Sequence, residues 1–509
     1  MGDTQDSSSI PSEVILCDTF SLVPGTGSPL SLILTHKELL IQNLSLDAQL
    51  SPQYSLALTD CIGCRSFRGK DPTDLGGYFT AVFYPLRGKA LGTTVYRQRV
   101  SRTFRAEGSR DKEQNFNVAQ SWAKKIWEMA EEQEHPGNPL PSSCRFLVLL
   151  NPFAGTGKAS ALFQTHVIPM LTEANATFTL LETERPKQAY ELVRDEDLSG
   201  WDAIVVMSGD GLVFEVINGL MERPDWVCAI KKPIAVLPGG SGNALAASIS
   251  YYSGHKQAVG NKLLNNCTFI LCKGQPVPLD LVSFTTSSGR RIFSFLSFAW
   301  GLISDVDIES ERYRFMGSAR FSFGTFVRLT ALRTYRGRLS YQAAKTSVDT
   351  APESDSHRRT LNDSTDIVNP HVLEDSLLVP LNEPVPPHWT TVMEDQFVLV
   401  LLLYQSHLGA DLFTAPMVQS PGEGVMQLFY ATSRVSRASL LKLFLAMEKG
   451  THLHESIPHI INVPVTAFRV EPFESNGIMT VDGEAIPCCS LQGQIHKGLG
   501  RIISIPQPS

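Results

Sequence analysis

Apolar residues change their spacing twice along this chain. From about Ile10 to Glu134 they fall mostly at period two, the period of a half-buried strand. SLILTHKELLIQNL alternates in two bursts about a Lys-Glu turn, and GYFTAVFYPL reads as a further strand. NFNVAQSWAKKIWEMAEEQ then turns helical, with Phe116, Val118, Trp122, Ile126 and Met129 on roughly one face, and the Pro/Gly stretch EHPGNPLPSS closes the region. From Cys144 to about Cys272 a β-rich apolar run enters glycines and then a helix, three times over: CRFLVLLNPFAGTGKA, WDAIVVMSGDGLVFEVINGL and KPIAVLPGGSGNALAAS. After Leu279 strands dominate (RRIFSFLSFAW, FVLVLLLY, GVMQLFYA, IMTVDG), with helices expected at ARFSFGTFVRLTALRTY and SRASLLKLFLAMEKG. The polar, proline-interrupted stretch 345–375 reads as a mobile insertion.

The pattern predicts three domains: a small β-rich one over 10–134, an α/β one over 144–275, and a β-sandwich over 279–504. Repeated βα units imply a largely parallel sheet with its loops gathered at one edge, where α/β proteins bind ligands. The first domain, strands followed by a helix with an inward tryptophan, resembles a pleckstrin-homology domain.

Composition narrows the classes. The 509 residues are 43% hydrophobic and 19% charged, with net charge −7, so nothing pulls the whole chain toward nucleic acid or anionic membrane. The nine cysteines lack a framework spacing; Cys61 and Cys64 form a single CxxC with no second pair at zinc-ligand distance. MGDTQDSSSI carries no apolar signal core, and Asp6 stands where a myristoylation signal wants Ser or Thr. No apolar run approaches spanning length. A cytosolic protein with reversible membrane association is the expectation, with the choice among nucleus, endoplasmic reticulum and plasma membrane left open.

The candidate chemistry lies in the glycine loops. A helix N-terminus reached through glycines offers unpaired N–H groups and a positive dipole end to an anion. Asn151-Pro152-Phe153-Ala154-Gly155-Thr156-Gly157-Lys158 fails the Walker A pattern, because proline stands at 152, and by itself reads as a turn. Ser208-Gly209-Asp210-Gly211 is more specific. Asp210 sits in an N-cap-like place, as a cap or as a base beside a phosphoryl group that flanking glycines admit. The helix after it buries Leu212, Val213, Val216, Ile217, Leu220 and Met221, leaving Glu215 to face the cleft. Pro238-Gly239-Gly240-Ser241-Gly242-Asn243 adds backbone donors, a hydroxyl and an amide.

LLNPFAGTGK, VVMSGDGLVFEVINGLMERPDW and LPGGSGNALA resemble the motifs of the diacylglycerol-kinase superfamily of lipid kinases. With FSFLSFAWGLISDVDIESERYR, LRTYRGRL, LFLAMEKG and TVDGE, they resemble more closely the sphingosine kinases, over about Phe146 to Ile503. The resemblance implies a nucleotide-binding α/β domain, a lipid-binding β-sandwich and ATP with magnesium between them. It makes Asp210 the general base. It assigns ATP to Asn151, Pro152, Phe153, Thr183, Glu184, Arg185, Pro186, Lys187, Glu215, Gly240, Ser241, Gly242, Arg314, Arg320, Asp482, Gly483 and Glu484. Ser208, Gly209, Gly211 and Ser297 would flank the reacting hydroxyl, and the magnesium ligands stay open.

The acidic run SDVDIESERYR brings Asp305, Asp307, Glu309 and Glu311 together, as a solvated face or as a cation site. Sphingosine carries an amine beside its reactive carbon, and the resemblance gives its recognition to Asp307. Ile303, Phe321 and Thr325 are candidate tunnel lining. Arg320, Arg328, Arg333, Arg336 and Arg338 make 320–338 a basic amphipathic helix, suited to a calmodulin-like calcium-binding protein, to acidic lipid, or to its own domain. Ceramide kinase and diacylglycerol kinase are the neighbouring alternatives, and a non-catalytic membrane adaptor is one from another class. Type 1 and type 2 of the family stay open, the long first domain leaning to type 2.

Overall fold

The computed structural model describes residues 13–24, 29–44, 54–88, 95–133, 144–255, 257–310, 319–345, 373–448, 450–452, 457–475 and 477–507, without the side chains of 310, 319–323 and 326. Arg314, Glu311 and positions 346–372 of the insertion lie outside these residues; for Arg320 and Phe321 only the backbone is described.

The first unit is a seven-stranded antiparallel sheet closed by the helix Lys112–Glu132. Pro29–Thr35 and Glu38–Asn43 pair as a hairpin about His36 and Lys37. The helix starts where the Asp111 side chain accepts the Glu113 N–H, and it turns Trp122 into the sheet, edge-on to Phe20 with 5.2 Å between ring centres. Two residues of the expected face fall off it. Val118 is exposed, and Phe116 lies at the margin under the Arg68 guanidinium, 4.2 Å from its ring centre. Ala119, Ala123 and Ala130 share the buried face with Trp122, Ile126 and Met129.

The α/β unit carries four parallel strands, in the order Thr177–Glu182, Arg145–Leu150, Ala203–Ser208, Ile234–Pro238. Three of them are the expected apolar runs, buried on both faces as central parallel strands are. Thr177–Glu182 is an additional edge strand, mostly exposed, and its sequence TFTLLE alternates only over its first four residues and has no unbroken apolar run. The register sets Leu150 beside Met207 and Ser208 beside Pro238, so the three glycine loops leave the sheet side by side.

The β-rich unit is not separate from this sheet. Its last strand, Leu491–Ser504, pairs in parallel with Ile234–Pro238 at Ile502 and antiparallel with Gln275–Thr286. Alternate residues of its strands fill two cores: Leu399, Leu401 and Leu403 join the α/β core, while Phe298, Trp300, Val400 and Leu402 pack with Phe468 and Leu491. Among the described residues no helix is long and apolar enough to cross a membrane.

The first unit docks behind the α/β sheet, against Ile168–Glu173 and Asn261–Lys273. Arg97 is the anchor: it is buried, paired with Asp60, and lies 3.9 Å from the Phe269 ring centre. Its Nη1 also donates to the Tyr84 carbonyl at 2.9 Å, and its Nε to His255 Nε2 at 3.2 Å. Burial and the arginine hold His255 neutral, its pKa pushed down to about 3, which suits an acceptor. Arg65 and Arg99 also reach across, to the Thr172 carbonyl and the Glu173 carboxylate. These three arginines therefore hold the first unit to the α/β unit.

Candidate active site

The parallel strands and the β-rich unit enclose a cleft of about 850 Å³ at the strand ends. The turn from Ala203–Ser208 into the helix Asp210–Met221 forms its floor. Glycine is needed here for a reason other than room for phosphate. A β-carbon on Gly209 would lie 2.6 Å from the Gly242 carbonyl oxygen, and one on Gly240 would lie 2.4 Å from Gly209 Cα. The second and third loops touch backbone to backbone, so their glycines serve loop packing first.

Asp210 differs from its expected N-cap position. It is the first residue of its helix, with Gly209 as N-cap, and its carboxylate turns away to the next one. Oδ2 accepts the Ala244 N–H at 2.8 Å and Oδ1 the Leu245 N–H at 3.1 Å. These are the leading amides of Ala244–Tyr252, whose own N-cap, Asn243, makes no side-chain cap. The Asp210 N–H donates in turn to the Gly242 carbonyl at 3.1 Å. Burial raises the Asp210 pKa and the two amides pull against it. A buried carboxylate with both oxygens tied and lone pairs to spare suits the acceptance of a proton from a held hydroxyl.

The nucleotide-side candidates line the same cleft. Asn151, Phe153, Thr183, Glu184, Arg185, Pro186, Lys187, Glu215, Gly240, Ser241 and Gly242 are all in its wall, and Pro152 is not. Phe153 is 75% exposed, its N–H held by the Asn151 side chain at 3.0 Å. Lys187 takes a left-handed conformation, φ 63°, and donates its N–H to Glu215 Oε1 at 3.0 Å. The other carboxylate oxygen, Oε2, is buried and has no hydrogen-bond partner among the described residues. Arg185 is engaged with Glu191.

From the β-rich unit come Ser297, Asp307, Asp482, Gly483 and Glu484. Asp482 and Gly483 form the two-residue turn between Met479–Val481 and Glu484–Ile486, with φ of 52° and 82°, as a tight hairpin demands. The Asp482 carboxylate points into protein: it accepts the Ser294 hydroxyl at 2.5 Å and the N–H groups of Phe295, Leu296 and Ser297 at 2.9–3.1 Å. Burial pushes its pKa up to about 7. Its visible work is to fix the hairpin that sets Glu484 beside Gly211.

The acidic run divides. Asp307 lines the cleft, whereas Asp305 is buried under Tyr335 and Glu309 pairs with Arg328. Ile303 and Thr325 line the cleft as well. The basic helix expected over 320–338 ends at Thr330, and Tyr335–Ala343 is a strand. Four of its arginines pair within the domain: Arg328 and Arg333 with Glu309, Arg336 with Asp395, Arg338 with Glu471.

Several lining residues carried no usable signal. Leu408, Asp411 and Leu412 sit in an irregular loop, and Arg290 at a hairpin end. Leu441, Phe444 and Leu445 belong to the helix Arg437–Met447, whose apolar residues exceed one face; that excess was the available hint.

Comparison with known proteins adds to this geometry. Residues 145–284 match the model of the diacylglycerol kinase catalytic domain. The chain is 54% identical to sphingosine kinase 1 of Homo sapiens over 369 residues, 72% of this chain and 93% of the relative. It is 36% identical to human sphingosine kinase 2 over a gapped alignment of 604 positions that covers 97% of this chain and 91% of the relative. A sphingosine kinase 1 of Arabidopsis thaliana is 32% identical, covering 73% of this chain and 74% of its own. A solved structure of a putative diacylglycerol kinase from Bacillus anthracis str. Sterne superposes with a TM-score of 0.46 at 18% identity, over 73% of this chain and 97% of that one.

Proposed function

The chain belongs to the sphingosine kinase family and phosphorylates sphingosine as an ATP-dependent lipid kinase; from that premise we propose how its cleft does so. The primary hydroxyl of the sphingoid base lies at the Ser208–Gly211 turn with Ser297 near it, and Asp210 takes its proton. The hydroxyl oxygen bonds to the γ-phosphorus of ATP as the bond to the β-bridging oxygen breaks, giving sphingosine 1-phosphate and ADP. Asn151, Phe153, Thr183 to Lys187, Glu215 and Gly240 to Gly242 hold the nucleotide and Asp482 to Glu484 close the site; Arg314 and Arg320, whose side chains lie outside the described residues, are assigned to its phosphates by the family resemblance alone.

Magnesium fits as an ion held mainly by phosphates. Among the described residues no three of His, Cys, Asp or Glu gather into a cage, while Glu215 offers a buried oxygen without a partner. Glu215 would hold it, with phosphate oxygens and water completing the shell. When bound, it neutralises charge on the transferred group.

One observation carries the substrate assignment: a single cavity joins the Asp210 turn to an apolar wall of Leu296, Ala299, Ile303, Val306 and Leu329, with Asp307 also in its lining. A carboxylate there matches the ammonium of a sphingoid base, whereas the neutral amide of ceramide brings no charge to meet it. Leu441 and Leu445, exposed at the cleft, suit a peripheral approach to the bilayer in which the substrate resides. A calcium-binding partner at 320–338 would meet a helix of only twelve residues, Ala319–Thr330. We read the first unit as pleckstrin-homology-like and the β-rich unit as a sandwich.

Phosphate transfer from labelled ATP to sphingosine, ceramide and diacylglycerol tests the reading. Asp307→Asn is expected to raise the KM for sphingosine about tenfold or more, from loss of a charge-assisted contact. An unchanged KM, or ceramide taken in preference to sphingosine, refutes the assignment.

A further inference from the structure

Asp307 stands on a short helix, Leu302–Ser310, that leaves the strand Ser297–Gly301 directly. Gly301 makes that corner with φ 90°, and a β-carbon there would lie 2.5 Å from the Val398 carbonyl oxygen. Three further polar residues tie the helix down. The Ser304 and Thr480 hydroxyls lie 3.1 Å apart, joining the helix to the Met479–Val481 strand. Asp305, 1% exposed, accepts the Tyr335 phenol at 2.5 Å. Glu309 pairs with Arg328 and Arg333.

Residues two apart on a helix project about 200° from one another. The buried attachment of Asp305 therefore fixes the direction in which Asp307 meets the cleft. Tyr335 is itself buried: it opens the strand Tyr335–Ala343 and packs with Trp300, 6.0 Å between ring centres. A buried carboxylate costs desolvation, and Asp305 Oδ1 accepts no hydrogen bond among the described residues. An apolar residue would bury more cheaply but would remove the one tie beside Asp307 that reaches the Tyr335 strand.

We propose that Asp305, held by the Tyr335 hydroxyl, is a positioning residue for amine recognition: it sets the rotation of the helix that presents Asp307 to the substrate ammonium. The inference rests on the reading of Asp307 given above.

The test compares KM for sphingosine with KM for its analogue in which a hydroxyl replaces the amine, in Tyr335→Phe, Asp305→Asn, Asp307→Asn and the Tyr335→Phe/Asp307→Asn pair. Tyr335→Phe keeps the ring and its packing, so it serves if Asp305→Asn fails to fold. Expected is a KM for sphingosine raised about 5- to 10-fold in Tyr335→Phe, the size of one ordinary hydrogen bond, since the contact acts on Asp307 only through the helix. The KM for ATP, the KM for the diol and kcat should stay within about twofold, and the effect should vanish in the Asp307→Asn background. A Tyr335→Phe effect equal for amine and diol, one that persists without Asp307, or no effect at all, while Asp307→Asn does lose amine preference, overturns positioning alone. Asp307→Asn without loss of amine preference overturns the reading beneath it and this inference together.

Discussion

Replacing Asp210 with asparagine removes two things at once, and their sizes differ. The carboxylate gives one oxygen each to the Ala244 and Leu245 amides. An asparagine has one oxygen and one NH2, so one of those buried N–H groups faces another donor. A buried donor left unmade costs about 1–3 kcal/mol. The neutral amide also escapes the desolvation that raises the Asp210 pKa, so the net loss falls near the low end, ~1 kcal/mol. Loss of a general base costs far more, roughly 100- to 10,000-fold in kcat. The assay pairs turnover of sphingosine at saturating ATP with thermal unfolding of the same protein. Expected are a kcat down by about three orders of magnitude and a midpoint lower by a few degrees. The wild-type pH profile supplies a further check. The base works ionised, so activity is present above its folded pKa and falls as pH drops through it. Burial places that acid limb above the ordinary value of 3.8. Near-normal kcat in the variant refutes the base, and an unchanged midpoint refutes the cap of the Ala244 helix.

Gly240→Ala places a methyl 2.4 Å from Gly209 Cα, and restoring ordinary contact moves one loop by about 1 Å. Displacement of that size at the catalytic turn is expected to cost roughly 100-fold in kcat, read by the same turnover assay, with wild-type kcat as the contrary result. Arg97→Ala strips a buried ion pair from the junction of the first unit and leaves Asp60 enclosed without its cation. Thermal or denaturant unfolding should show a loss of about 3–5 kcal/mol, and a wild-type transition would mean that the junction is held elsewhere.

Much of the site was legible because its signals are local. A strand, a glycine turn and a helical face are each written in ten to twenty consecutive residues, and three such units in a row predict neighbouring loops. The exposed edge strand Thr177–Glu182 escaped because an edge needs no apolar run. The helix expected over 319–335 was overlong because arginines and leucines continue at helical spacing past Thr330, while the pairing of Tyr335 with Phe397 imposes a strand.

By itself the sequence determined the parallel block, the glycine loops, the aspartate between two of those glycines, and an acidic run ahead of a basic one. Only the tertiary structure decided what each carboxylate does. Asp210 caps a helix 34 residues away, Asp482 ties a loop nearly 190 residues before it, and Asp305 and Asp307, two positions apart, face opposite ways. The physical reason is that periodicity fixes which side of an element a residue takes. What waits on that side is set by how the sheet continues, here through the final strand that links the parallel strands to the β-rich unit, and that brings together residues the chain keeps far apart.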